Sequence, residues 1–370
     1  MLSLSSPSLK WLLVICQVVW LTGCVNLTYY AQAVGGHMDL LHRSKPISTI
    51  IADPDVDLQL RDRLSRVLIL RDFASRELKL PDNKSYTSYA DLQRPYAVWN
   101  VFASPELSVE LKKWCFIKAG CVGYRGFFSQ AKAERYAEKL KDEGYDTYVG
   151  GIRAYSTLGW FNDPILNTFI GSPEMNLARL IFHELAHQVV YVPGDTVFNE
   201  SFATAVEHEG VARWFERNGS ISDKIAFNVR HETETVFTEL VLDYRKRLQV
   251  VFGSDISDIE KRAAKAQIFD DLHEEYRQIK VTQPEFSRYE AWFEQQPNNA
   301  RLATVAIYTQ LLPAFQALLE QQNGDMDQFF NVVKEISKLS KDERAFVLQA
   351  VVEAEADAGA LSNASSDLID

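Results

Sequence analysis

The chain has 370 residues and a mass of 42.1 kDa, with 46% hydrophobic and 24% charged residues. That is length enough for a sizeable core, and the composition is that of a globular protein, which excludes wholesale disorder. Thirty-nine Lys and Arg against 50 Asp and Glu give a net charge of −11. No basic surplus is left to displace counterions from phosphates, so nucleic acid is excluded as a partner.

Residues 1–23 read as a signal peptide, with Lys10 as the positive charge, an apolar run from Trp11 to Leu21, and small residues in Leu21-Thr22-Gly23-Cys24. The run is shorter than the roughly 20 apolar residues of a comfortable membrane span. Leu-x-Gly-Cys resembles the bacterial lipobox, which implies that Cys24 carries lipid, begins the mature chain and anchors it to a membrane. Val25, rather than Asp, follows the cysteine; by lipoprotein sorting rules this implies the periplasmic face of the outer membrane. With Cys16 inside the signal, Cys115 and Cys121 remain. An exported pair six positions apart, with Gly120 easing the turn, is expected to close a small disulfide loop. Two thiols ligating a metal would need CxxC-spaced companions, which the sequence lacks.

From Cys24 to about residue 150 an α+β region is expected. Tyr29 to His42 and Val56 to Glu77 read as helices, the second with Leu64, Val67, Leu68 and Leu70 among Arg and Asp. Pro81-Asp82-Asn83 breaks the chain. Tyr96 to Ala103 and Trp114 to Phe128 are rich in aromatic and β-branched residues, which predicts strands. Ser129 can cap a helix to about Glu143, and Asp146 to Tyr155 is again strand-like. Residues 151–220 form the expected catalytic core, with helices from Pro173 to Val192 and from Asn199 to Arg217. Residues 221–352 are expected as a helical C-terminal region, with helices over Ser222 to Phe252, Ser257 to Val281, Asn299 to Glu320 and Met326 to Val352. The acidic, Ala/Ser-rich stretch from Glu353 to Asp370 is expected as a loose tail. The expected fold class is thus α+β, mainly α-helical, with a small antiparallel sheet and a helical C-terminal body.

Chemistry concentrates in His183-Glu184-Leu185-Ala186-His187, an HExxH motif. Residues four apart on a helix share a face, so both imidazoles can reach one Zn2+ at about 2.0–2.1 Å. Glu184, beside the first ligand, is placed to take a proton from a water, the general-base role. A catalytic zinc needs a third protein ligand and an open position. No histidine follows before His208, and the metzincin third-histidine position is Pro193. The candidates are therefore Glu200, Glu207 and Glu209. Glu207 lies seven residues from Glu200, two turns along one face, which suits either a ligand or a carboxylate orienting a histidine.

Asn199-Glu200-Ser201-Phe202-Ala203 resembles the ligand helix of the gluzincin peptidases, which implies Glu200 as the third ligand, Glu207 behind it, and a zincin-like core. With Tyr155-Ser156-Thr157-Leu158-Gly159, the HELAH motif, Trp114-Cys115 through Gly126, and Asn298-Asn299-Ala300-Arg301-Leu302, the chain resembles the Putative aminopeptidase family of exported bacterial zinc proteins from about Tyr29 to Ala350. The resemblance implies hydrolysis of a peptide substrate, aminopeptidase-like; a gluzincin endopeptidase or a non-catalytic zinc-binding envelope lipoprotein is the alternative. It also implies that Tyr155, Ser156 and Thr157 form an edge strand pairing with substrate backbone. Tyr308 is implied as the donor to the oxyanion, with Tyr155 and His231 as weaker candidates.

Overall fold

The computed structural model describes residues 32, 34–116, 120–154 and 156–366, with side chains as far as Ala354. The signal peptide with Cys24, and Tyr155, lie outside the described residues.

A helix over 34–43 (α1) leads into the short strand β1 (Lys45–Pro46) and the helix α2 (Ile47–Ala52). Next comes α3 (Leu58–Arg76), whose Leu64, Val67 and Leu70 are fully buried at three-residue spacing. Seven strands and one helix follow in the first half: β2 (Ser88–Ala90), β3 (Val98–Pro105), β4 (Trp114–Phe116), β5 (Gly120–Val122), β6 (Arg125–Phe127), α4 (Gln130–Asp142), β7 (Tyr145–Ile152) and β8 (Ile165–Leu166). They pair as three small sheets, β6-β3-β7, β1-β2-β8 and the β4-β5 hairpin. All pairings are antiparallel except β2 with β8, which is parallel.

The sheet β6-β3-β7 positions the site because its faces alternate along β3. Trp99, Val101 and Ala103 pack on Ala133, Ala137 and Leu140 of α4. Phe102, on the other face, packs with Ala300 and Ile307 of a helix from the C-terminal half, α11 (Asn299–Thr309).

After a single turn, α5 (Asn167–Ile170), come α6 (Glu174–Ala186) and α7 (Thr196–Asn218). Then α8 (Ile221–Gly253), α9 (Asp258–Thr282), a 3-10 turn over Pro284–Tyr289 and α10 (Glu290–Glu294) build a satellite core around Phe237, Tyr276, Phe286 and Phe293. Both α8 and α9 open on capping boxes, Ser220 with Asp223 and Ser257 with Glu260. The chain closes with α11 (Asn299–Thr309), α12 (Leu312–Gln321), α13 (Met326–Ser337) and α14 (Lys341–Ser366). The largest core joins α3, α6, α7, α12, α13 and α14, with Phe182, Phe198, Phe202, Phe315 and Phe329 fully buried.

Three expectations about the helices need correction. The helix expected over Asn299 to Glu320 breaks between Thr309 and Leu312. Pro313 has no N–H to continue the ladder, and its ring clashes with the carbonyl four residues back. The helix expected from Met326 breaks before Lys341, where Ser340 N–H donates to Glu343 Oε2 at 2.8 Å and starts a new helix. That helix runs on to Ser366, through the stretch expected as a loose tail. Ala and Glu are strong helix formers, and helical propensity wins there over acidic composition.

Candidate metal centre

On α6 the apolar residues Leu177, Ala178, Ile181, Phe182, Leu185 and Ala186 recur at helical spacing and are buried. Each of the larger ones contributes about 1.5–3 kcal/mol of burial. The stripe fixes the helix's rotation, so His183, Glu184 and His187 face away from the core. The helix ends earlier than the expected Val192, with His187 as its C-terminal cap. The linker to α7 is then tied down. Asn199 Nδ2 donates to Val192 O at 2.8 Å, and its Oδ1 accepts from Val192 N at 2.7 Å. Gly194 sits at φ +84°, a left-handed conformation that suits glycine. Asp195 caps α7 by accepting from Phe198 N, and pairs with buried Arg344 of α14 at 2.6 Å. So held, Glu200 points from the first turns of α7 back at the histidines.

His183 Nε2 lies 3.1 Å and His187 Nε2 3.7 Å from Glu200 Oε2. Ligand-capable atoms of His183, His187 and Glu200 all fall within 4.8 Å of one another. On the far side of its ring, His183 Nδ1 lies 3.0 Å from Glu207 Oε2. A hydrogen bond there places the proton on Nδ1 and frees Nε2 as a donor atom for a metal. Arg179, one turn before His183, bridges Glu207 and Glu234, the latter at 2.6 Å.

The electrostatics ask for a cation. Burial opposes protonation of His183, yet Glu200 and Glu207 outweigh it and raise its pKa to about 10. Burial also disfavours charge on both glutamates, but the histidines, and Arg179 beside Glu207, hold them well below the usual carboxylate range. A divalent ion would supply that positive charge while leaving both imidazoles neutral. Two nitrogens and one carboxylate oxygen, with a cleft in front, form a donor set that fits zinc. Among the described residues, His187 Nδ1 is buried with no hydrogen-bond partner.

That cleft holds about 290 Å3 and is bordered by His183, His187, Glu200, Glu184, Tyr308, Tyr191 and Ser156, with Val98 and Asn100 of β3 and Ile152 of β7 behind. Tyr308 stands on α11 with its ring 6.1 Å from that of His183. The charge of Glu200, and then burial, push its phenol pKa well above 10.

Residues 28–348 match the family model described as Putative aminopeptidase. The chain belongs to that family. No curated protein and no solved structure matches it. Membership of the Putative aminopeptidase family points to a peptidase, and the matched region contains both the HELAH helix and Tyr308.

For this family member the structure also places the remaining candidates. Ser156 borders the cleft, but Thr157 does not. Its N–H and Oγ1 are bound to Asp163 at 2.9 and 2.8 Å, and it pins the loop rather than reaching for substrate. The expected strand over 155–157 is absent among the described residues, since β7 stops at Ile152. Arg153 bends away, and the chain turns over Leu158 and Gly159, both at positive φ. His231 stands on α8, its ring 5.3 Å from His208, and borders a different cavity. Glu209 pairs with Arg213. Cys115 and Cys121 are opposite each other in the β4-β5 hairpin and form a disulfide.

Sequence reasoning missed Arg179, Tyr191, Asn199's clamp and Asp163. Arg179 carried a signal, an arginine on the polar face of an apolar helix four residues before His183. Tyr191, whose ring is 6.2 Å from that of His187, carried none. Asp163 is 1% exposed, and burial raises its pKa to about 6 despite the bonds from Thr157.

Proposed function

We propose that this chain is a zinc-dependent peptidase with a zincin-like core, in which His183, His187 and Glu200 hold the metal and Glu184 is the general base. One observation carries the reading: three donors converge within 4.8 Å beside Glu184, at the floor of a cleft. Zinc, when bound, supplies Lewis acidity, lowering the pKa of a water towards about 7 and polarising a carbonyl.

The chain's own groups do the rest. Glu184 takes the proton of the attacking water and later gives it to the leaving amine. Tyr308 donates its phenol proton in a hydrogen bond to the oxyanion as the tetrahedral centre forms. Glu207, backed by Arg179, keeps the His183 ring oriented. Replacing Glu184 by Gln retains shape but removes the base, so Glu184→Gln should keep stoichiometric zinc by metal analysis and lose peptide turnover. Turnover retained by that variant would sink the assignment. Zinc in the wild-type chain with no chelator-sensitive hydrolysis would favour a zinc-holding scaffold instead.

Leu21-Thr22-Gly23-Cys24 supports lipid anchoring at Cys24 on the periplasmic face of the outer membrane. The full chain should then partition into detergent on phase separation, and Cys24→Ser should move it to the aqueous phase. Equal partitioning of the two would rule the anchor out.

A further inference from the structure

We infer that the cleft accepts an interior, apolar stretch of polypeptide, so that this site cuts chains internally and does not trim a free N-terminus; the inference rests on the zinc-peptidase reading. An enzyme that removes N-terminal residues has to bind an ammonium group next to the scissile bond. Burying that charge without a carboxylate partner is strongly unfavourable.

Each carboxylate felt at this cleft is already engaged. Glu200 faces His183 and His187 at 3.1 and 3.7 Å. Glu184 is the base. Glu207 lies behind His183, between that ring and Arg179. Asp163 is buried beneath the loop and accepts two hydrogen bonds from Thr157 and one from Ser156. Among the described residues bordering the cleft, Glu184 and Glu200 are the only acids, and none is Lys or Arg. The undescribed residues 1–31, 33, 117–119 and 155 contain no Asp or Glu, and Asp39 is the first acid in the sequence; past Ala354, where side chains are no longer described, the acids are Glu355, Asp357, Asp367 and Asp370. Among the described residues, the absence of a bordering cation speaks equally against recognition of a free C-terminal carboxylate.

What the cleft offers instead is apolar wall. Val98 and Ile152 are cross-strand partners on one face of the sheet, and Phe128, Leu158 and Tyr191 add to them, with the uncharged polar Gln32, Asn100 and Tyr124 between. Such a surface gains by covering aliphatic or aromatic side chains on either side of the bond. The step itself is ordinary hydrolysis. Water's oxygen bonds to the carbonyl carbon, the C–N bond breaks, and the water's proton passes through Glu184 to the departing nitrogen.

The test compares matched decapeptides with a central Leu-Phe or Asp-Lys pair, each with free termini or N-acetylated and C-amidated, digested by the full-length zinc-loaded chain and read by mass spectrometry. Blocking the termini should leave kcat/KM within about threefold, with cleavage internal and Leu-Phe preferred by about tenfold or more. Stepwise loss of N-terminal residues from free peptides, with about a hundredfold loss or more on acetylation, would overturn the inference and leave the peptidase reading standing. No cleavage of any peptide would overturn both.

Discussion

Between the His183 ring and the rest of the protein stand Glu207 and Arg179, neither of which touches the cleft. Glu207 faces His183 Nδ1 at 3.0 Å, and Arg179 holds Glu207 from the other side while reaching Glu234 at 2.6 Å. With Arg179 replaced by Gln, Glu207 keeps its charge but loses its anchor, and the imidazole it orients is free to turn. Arg179→Gln should weaken zinc binding by about 10–100-fold in a chelator competition, while turnover per bound zinc stays near that of the parent. Unchanged zinc affinity would show that Arg179 serves only the packing. Much at this scale was legible in the sequence. His183, Glu184 and His187 come from five contiguous residues, and helical geometry alone puts the two histidines on one face. Glu200 and Glu207 could not be separated so easily, because they share a face of α7 two turns apart. The two sides of a single ring distinguish them in the structure: Glu200 meets Nε2 and Glu207 meets Nδ1.

At the scale of elements, the linker between α6 and α7 decides whether Glu200 reaches the histidines. The disulfide hairpin β4-β5 leans on it: a Cβ built on Gly120 would fall 2.4 Å from Gly194 N, and Gly120 itself sits at φ +72°. Any side chain at 120 must push the linker or strain the hairpin. Gly120→Ala should therefore lose about 1–3 kcal/mol of stability in denaturant unfolding; a variant as stable as the parent would mean the two turns separate freely. Sequence reading caught Gly120 as a turn residue but had no access to its contact with Gly194, 74 positions away. The same limit explains β1, β2 and β8. Runs of two or three residues carry no periodicity, and Tyr89 meets Ile165 only through the fold. By contrast, the breaks at Pro313 and Ser340 were written in local residue chemistry and could have been read there.

Across the whole molecule, the expected mainly helical body is present, because long amphipathic helices announce themselves by their buried stripes; in place of the one small antiparallel sheet expected there are three small sheets, one with a parallel pair. The way the halves lock together was not legible. Asn298 Nδ2 donates to Thr147 O and Asn299 Nδ2 to Glu106 O, each at 2.8 or 2.9 Å, fastening the start of α11 to the β3-β7 ribbon. Seven residues on from Arg301, Tyr308 enters the cleft. At the other end of the chain, Arg344 and Asp195 form an ion pair, each side chain 8% exposed. Removing one partner strands the other as a buried charge, so Arg344→Ala should cost about 3–5 kcal/mol of stability in thermal or denaturant unfolding. A loss under about 1 kcal/mol would mean that water reaches Asp195 after all.

The Asp195–Arg344 tie also has a meaning in time. Its two ends lie 149 positions apart, and the later one falls near the end of the chain. A polypeptide emerging from its N-terminus presents HELAH and Glu200 early, but it cannot knot the loop between them until Arg344 has been made. The newborn chain thus carries HELAH and Glu200 through the addition of about 140 further residues before it owns the fastener that fixes their linker in place.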